Sequence, residues 1–138
     1  MVRGILEVLL VDAKGLHNTE FLAKMDPYVV IQCRNYERKS NIAKDQGSNP
    51  VWNEKISFPV QLPCVDDQLK LVLRILDKDT FSSDDFVGET TIHLKELITE
   101  GEENGVAEIK PCSYAVVLAD RTYCGKIQIG VKFTLKEV

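Results

Sequence analysis

The chain has 138 residues, 44% apolar and 28% charged, with a formal net charge of −4, which fits one soluble globular domain with an ordinary core. A negative balance without a basic stripe argues against a nucleic-acid partner, and docking onto an anionic membrane would require a local reversal of sign. The four cysteines, Cys33, Cys64, Cys112 and Cys124, have no C-x-x-C spacing and only His17 and His93 to assist them, which argues against zinc and for reduced thiols packed as small apolar side chains.

The first element is an apolar run from Ile5 to Val11, broken by Glu7. Acidic residues bracket it and no small-residue cleavage site follows, so it reads as a strand and not as a secretory leader. Val2 stands where N-myristoylation needs glycine. Tyr28 to Cys33 is β-branched and follows Pro27, and the more polar Glu37 to Ala43 predicts an edge strand. Lys55 to Val60 alternates weakly; Leu69, Leu71, Leu73 and Ile75 fall on one face of the strand Leu69 to Leu76. Val87 to Leu94 follows a loop, and the apolar Tyr114 to Leu118 lies in the longest uncharged stretch, which is far too short to span a bilayer. Ile127, Ile129, Val131 and Phe133 alternate strictly with Gln128, Gly130 and Lys132, the pattern of a half-buried strand. Eight strands at near-regular spacing predict an all-β fold, an antiparallel β-sandwich over residues 1–138 as a single domain. One short helix is predicted from Leu94 to Ile98, stopped near Gly101, with a mobile loop over Glu100 to Gly105.

Two acidic stretches stand out, one ending at Asp26 and one running from Asp77 to Asp85. The second reads Asp77-Lys78-Asp79-Thr80-Phe81-Ser82-Ser83-Asp84-Asp85, four carboxylates in nine residues. Asp77 and Asp79 are two apart and can face the same side of an extended segment. Two such charges about 5 Å apart, at an effective dielectric near 20, repel by roughly 3 kcal/mol. A hard divalent cation relieves that repulsion. Ca²⁺ accepts six to eight oxygens in flexible geometry, which suits irregular loops better than Mg²⁺. Solvated loop carboxylates and ordinary Asp-Pro turn chemistry are the alternatives for either stretch alone; two stretches, each at a strand end, favour a shared site.

Leu76-Asp77-Lys78-Asp79-Thr80 also resembles the D-x-D-x-T nucleophile signature of haloacid-dehalogenase-type phosphatases, in which the first Asp attacks phosphorus with Mg²⁺ alongside. That chemistry needs a parallel α/β sheet with crossover helices, and this chain predicts at most one short helix. No other nucleophile–base set suggests itself, so an enzyme is not expected.

Ala13-Lys14-Gly15-Leu16, Asp26-Pro27-Tyr28-Val29, Asn49-Pro50-Val51-Trp52-Asn53-Glu54, Asp77-Lys78-Asp79 and Asp85-Phe86-Val87-Gly88 occur in the order seen in C2 domains. The resemblance covers essentially the whole chain. Phe21-Leu22-Ala23-Lys24, Arg38-Lys39-Ser40 and Tyr123-Cys124-Gly125-Lys126-Ile127 resemble the small single-domain plant C2 proteins of the elicitor-responsive and phloem-protein type, which places the chain in plant defence and signalling. The resemblance implies an eight-stranded sandwich whose loops at one end bind Ca²⁺. By motif the ligands fall on Glu20, Asp26, Asp77, Asp79 and Asp85. The family usually has Asp at the first position, and Glu20 is one methylene longer. Asp84 is peripheral, and backbone carbonyls near Thr19 and Lys78 complete the shell. The chain opens on the strand leading into the first Ca²⁺ loop, and Lys126 to Thr134 takes the place of the strand that precedes it in the other C2 topology, as in the type II arrangement. Trp52 is expected to pack, Asn49-Pro50 to turn, and Phe86 and Gly88 to anchor the end of the second acidic loop.

The resemblance further implies Ca²⁺-dependent docking on anionic phospholipid membranes by a cytoplasmic protein that becomes peripheral on the plasma membrane, with a role as sensor or adaptor. Phe21, Leu22 and Phe81 lie beside the ligands, where they can enter the interface or pack within the loops. Arg34, Arg38, Lys39 and Lys44 form a loose basic stretch near the third strand, read either as a lipid-headgroup site, with Arg38 and Lys39 at its centre, or as an exposed charged edge. The rival reading is a Ca²⁺-independent module that binds a protein partner.

Overall fold

A computed structural model describes residues 2–20, 22–63 and 69–136. Its strands are β1 (Val2–Lys14), β2 (Pro27–Cys33), β3 (Tyr36–Lys39), β4 (Val51–Leu62), β5 (Lys70–Asp77), β6 (Asp85–His93), β7 (Val106–Val117) and β8 (Tyr123–Lys136), with one helix, α1 (Lys95–Asn104), between β6 and β7. The strand order is β3-β2-β5-β6-β7-β8-β1-β4, every neighbour antiparallel. Between β6 and β7 the only paired residues are Glu89 and Val117. The sheet therefore folds there into two four-stranded layers, the sandwich that the strand spacing predicts.

Alternation decides which side chains meet between the layers. Leu6, Val8 and Leu10 of β1 are buried while Ile5, Glu7 and Leu9 between them are half-exposed. Leu71, Leu73 and Ile75 of β5 and Ile127, Ile129, Val131 and Phe133 of β8 are buried as their periodicity predicts. β8 runs beside β1 from Arg3↔Lys136 to Lys14↔Lys126, the neighbour that the resemblance implied. Trp52 packs partly buried against the core and donates its indole N–H to the Pro27 carbonyl at 3.2 Å.

Several expectations are corrected. The predicted strand from Glu37 to Ala43 is only Tyr36–Lys39: at Ser40 the chain leaves the ladder, and the Ser40 hydroxyl accepts from the Val29 N–H at 2.8 Å. β7 begins eight residues before Tyr114, at Val106. The helix continues past Ile98 to Asn104, so Glu100 to Gly105 is the last turn and its cap, not a free loop. Gly101 does not stop the helix. It lets the helix lie against Phe133, whose ring carbon sits 2.3 Å from where a Cβ would project. The stop is Gly105, at φ 86°, its N–H donating to the Gly101 carbonyl at 2.8 Å. Phe86 is 39% exposed and so does not anchor its loop by burial; Gly88 does, because a Cβ there would meet Val116 at 2.2 Å. Of the described cysteines, Cys33 is buried, Cys112 exposed and Cys124 intermediate, all free thiols; Cys64 lies outside the described residues.

The open sides of β3 and β4 approach each other, and two arginines bridge them. Arg38 donates through Nε to the Ser57 carbonyl at 2.7 Å, with its guanidinium over the rings of Phe58 and Tyr36. Arg34 donates to the Gln61 carbonyl at 3.2 Å. Sheet edges with unpaired carbonyls are a liability; here the cations blunt it.

Candidate metal centre

β2 and β6 begin and β5 ends at one pole of the sandwich, where Asp77 lies between Pro27 on β2 and Asp85 on β6. The inward face of β5 runs Leu71, Leu73, Ile75 and then Asp77. The same period of two that builds the core therefore puts a carboxylate at its top, and Asp77 is 1% exposed. Burying an unpaired charge is costly, and Asp77 is paired with protein donors: its Oδ1 accepts from the Asp26 N–H at 2.8 Å and its Oδ2 from the Thr19 hydroxyl at 2.9 Å. These bonds tie the β1–β2 loop down onto β5.

Above Asp77, Glu20, Asp79 and Asp85 each offer a carboxylate oxygen within 4.8 Å of the others, all three half-exposed. Glu20 descends from the β1–β2 loop, where its N–H donates to Asn18 Oδ1 at 3.0 Å. Asp79 follows β5 in a short turn in which the Phe81 N–H donates to its Oδ1 at 3.3 Å. Asp85 opens β6. The hydrogen bond from the Glu20 carboxyl to Asp77 and then the charge of Asp77 push Glu20 up to about 7, with partial burial and the charges of Asp79 and Asp85 adding to the rise. At neutral pH the cluster thus holds a proton in part, the signature of negative charge awaiting a counter-charge. The donors are all hard oxygens on irregular loops, without nitrogen or sulfur, which fits Ca²⁺.

The remaining predicted residues separate by role. Asp26 stands beside the group and turns Oδ1 to the Asp45 N–H at 2.7 Å, fixing the β3–β4 loop. Thr19 acts through its hydroxyl on Asp77, and Lys78 donates its N–H to the Asp26 carbonyl at 3.1 Å. Asp84 serves as frame. It accepts from the Asp79 N–H at 2.9 Å and from the Tyr28 hydroxyl, and its Oδ1 lies 3.8 Å from Lys78 Nζ. The Asp79 N–H, then the Tyr28 hydroxyl, and the charges of Lys78 and Lys39 hold its carboxyl below the usual range. Burial, followed by the Asp84 carboxylate, pushes Tyr28 up to about 12. Tyr28 is the residue that sequence reasoning missed: it was legible in Asp26-Pro27-Tyr28 only as a strand residue, and nothing there signals where its hydroxyl points.

Leu22 is 90% exposed and Phe81 97% exposed, on the two loops that bring Glu20 and Asp79 together. Phe21 lies outside the described residues. Of the basic stretch, Arg34 and Arg38 are engaged with the edge of β4, Lys44 is exposed, and Lys39 is exposed near enough to Asp84 to act on it.

The profile of the C2 domain family matches residues 4–109. The chain is 52% identical over 134 residues to Elicitor-responsive protein 1 of Oryza sativa subsp. japonica, covering 95% of this chain and 84% of that one. It is 47% identical over 136 residues to 16 kDa phloem protein 1 of Arabidopsis thaliana, covering 98% and 87%. The solved structure of a C2 domain-containing protein from an elicitor-responsive gene superposes with a TM-score of 0.72 at 42% identity, covering 94% of this chain and 87% of that one. The sandwich with its carboxylate pole and these likenesses agree: the chain belongs to the C2 domain family.

Proposed function

We propose that this protein is a Ca²⁺-operated membrane-docking module that acts in plant defence signalling as a sensor or adaptor and carries out no catalysis of its own. C2 domains of related proteins bind Ca²⁺ and membranes. The observation that carries the reading here is the juxtaposition of Glu20, Asp79 and Asp85, their oxygens within 4.8 Å, with fully exposed Leu22 and Phe81 on the same two loops. Without Ca²⁺ the pole is anionic and repels anionic phospholipid. Ca²⁺ held by Glu20, Asp79 and Asp85, with Asp26 and Asp77 beside them, reverses that sign and can take lipid phosphate oxygens into its shell. Leu22 and Phe81 then enter the interface, each burial contributing roughly 1.5–3 kcal/mol. Lys39, at the rim, faces the same surface and adds roughly 1 kcal/mol where it reaches it.

No described helix is long and apolar enough to cross a membrane; reversible docking from the cytoplasm onto the plasma membrane requires none. The test is sedimentation with phosphatidylserine vesicles, with Ca²⁺ and then chelator, on wild type and on Asp79→Asn with Asp85→Asn. Wild type should pellet only with Ca²⁺ and the double variant in neither condition. Equal binding in all conditions would sink the reading, and no binding at any Ca²⁺ concentration would favour a module that recognises a protein partner.

A further inference from the structure

The loop between Asp79 and Asp85 carries hydroxyls that the metal reading leaves without a task. Ser82 and Ser83 are both exposed, next to Phe81 at the tip. The printed contact of the Ser82 hydroxyl is a long 3.5 Å approach to the neighbouring Ser83 carbonyl, so it is available to react. The segment continues Ser82-Ser83-Asp84-Asp85, placing an acid at the second and third positions after Ser82. A serine followed at that spacing by carboxylates is complementary to a kinase whose substrate groove is basic.

We propose that Ser82 is a phosphorylation site for an acid-directed serine kinase, and that the phosphate blocks membrane docking by the Ca²⁺ pole. This rests on the docking reading above and supplies its regulation. In the reaction the Ser82 Oγ attacks the γ-phosphorus of a nucleoside triphosphate. The Oγ–P bond forms as the bond to the bridging oxygen breaks, the nucleoside diphosphate leaves, and the hydroxyl proton passes to the kinase's base.

Position gives the phosphate its effect. Ser82 is three residues from both Asp79 and Asp85, so its Cα stays within about 10 Å of each, close to the Debye length of about 8 Å at physiological salt. Six carboxylates, from Glu20, Asp26, Asp77, Asp79, Asp84 and Asp85, already crowd this end, with Lys78 in ion-pair range of one of them. A phosphate carries a charge of about −1.5 to −2 at neutral pH, so it offsets most of the charge that one Ca²⁺ brings. It also stands one residue from Phe81 and would have to follow that ring toward the interface. Competition runs in the other direction as well. Asp85 serves both as kinase determinant and as one of the three clustered carboxylates, so Ca²⁺ that engages it withdraws it from the kinase.

The full chain is treated with a purified acid-directed serine kinase and magnesium-ATP, in chelator and in saturating Ca²⁺, and the modified residue is mapped by mass spectrometry. Phosphorylated protein, Ser82→Glu and Ser82→Gln are then sedimented with phosphatidylcholine–phosphatidylserine vesicles in Ca²⁺. Incorporation should fall on Ser82, vanish in Ser82→Ala and slow severalfold in Ca²⁺, with an unrelated peptide substrate unaffected. The phosphoprotein and Ser82→Glu should dock on the order of tenfold more weakly, and Ser82→Gln like wild type. Incorporation elsewhere, or a phosphoprotein that docks as well as wild type, overturns the proposal. If wild type itself fails to dock with Ca²⁺, the docking reading fails and the regulation falls with it, a result told apart by the unmodified control.

Discussion

Replacing Asp77 separates its electrostatic from its mechanical role. In Asp77→Asn the side-chain carbonyl can still accept from the Asp26 N–H, which it now meets at 2.8 Å, and the amide can meet the Thr19 hydroxyl. The frame survives and the charge is gone. Because the hydrogen bond to Asp77 and the Asp77 charge are the two largest causes that push Glu20 up to about 7, Glu20 should fall toward its ordinary 4.5 in the variant. The sign for stability follows. A carboxyl whose pKa is raised on folding contributes stability that is fully present below the unfolded value and lost as pH rises through the folded one. In chelator, wild type should therefore lose stability between about pH 4.5 and 7, and Asp77→Asn should be flatter across that window. Ca²⁺ must displace the same proton, so the wild-type apparent affinity rises with pH up to about 7, changing at most about tenfold per pH unit below it. Asp77→Ala differs: it strands the Asp26 N–H and the Thr19 hydroxyl, costing about 1–3 kcal/mol for each group left unsatisfied. Carbon-13 carboxyl titration of Glu20 by NMR, with thermal unfolding in chelator, reads both roles. A Glu20 that still titrates near 7 in Asp77→Asn would refute the electrostatic argument.

Gly101→Ala drives a methyl into the Phe133 ring, 2.3 Å from the ideal Cβ, and should cost about 1–3 kcal/mol in urea unfolding; an unchanged midpoint would mean that the helix slides freely. Arg38→Ala removes the bond to the Ser57 carbonyl and the cover over Phe58. It should cost about 1–2 kcal/mol in the same assay and expose the β4 edge to self-association, visible by light scattering. Phe81→Ser, at a side chain 97% exposed in the free protein, should leave stability within about 0.5 kcal/mol while weakening Ca²⁺-dependent vesicle binding by about ten- to a hundredfold.

Legibility in the sequence followed the regularity of the backbone. Leu69 to Ile75 and Ile127 to Phe133 announced themselves because an unbroken ladder preserves the period of two. β7 concealed its first half because Pro111 and register shifts between Ile109 and Cys112 and between Ala115 and Val117 break that period. Gly101 looked like a terminator because its real reason, the approach to Phe133, is tertiary. In the site, Asp77 and Asp79 were legible for the same reason as the strands. The duties of Asp84 and Tyr28 depend on how two loops fold back, which no local pattern encodes.

The carboxylates of this pole divide into those spent on the protein and those left for an ion. Asp77 and Asp84 give oxygens to Asp26, Thr19, Asp79 and Tyr28, holding the β1–β2 and β5–β6 loops in register before any cation arrives. Preorganisation of this kind lowers the ordering cost of binding. Glu20, Asp79 and Asp85 are what remain, and they come from both loops. Seen this way, the departure from aspartate at position 20 is not a weak point. From the backbone position that Asn18 fixes through the Glu20 N–H, the longer side chain reaches Asp77 closely enough to share a proton with it. An aspartate on that backbone is one methylene shorter. The extra methylene is therefore what closes the group here, and Glu20→Asp should weaken Ca²⁺ binding in calorimetry; a tighter site in that variant would show that the loop, not the side-chain length, sets the reach.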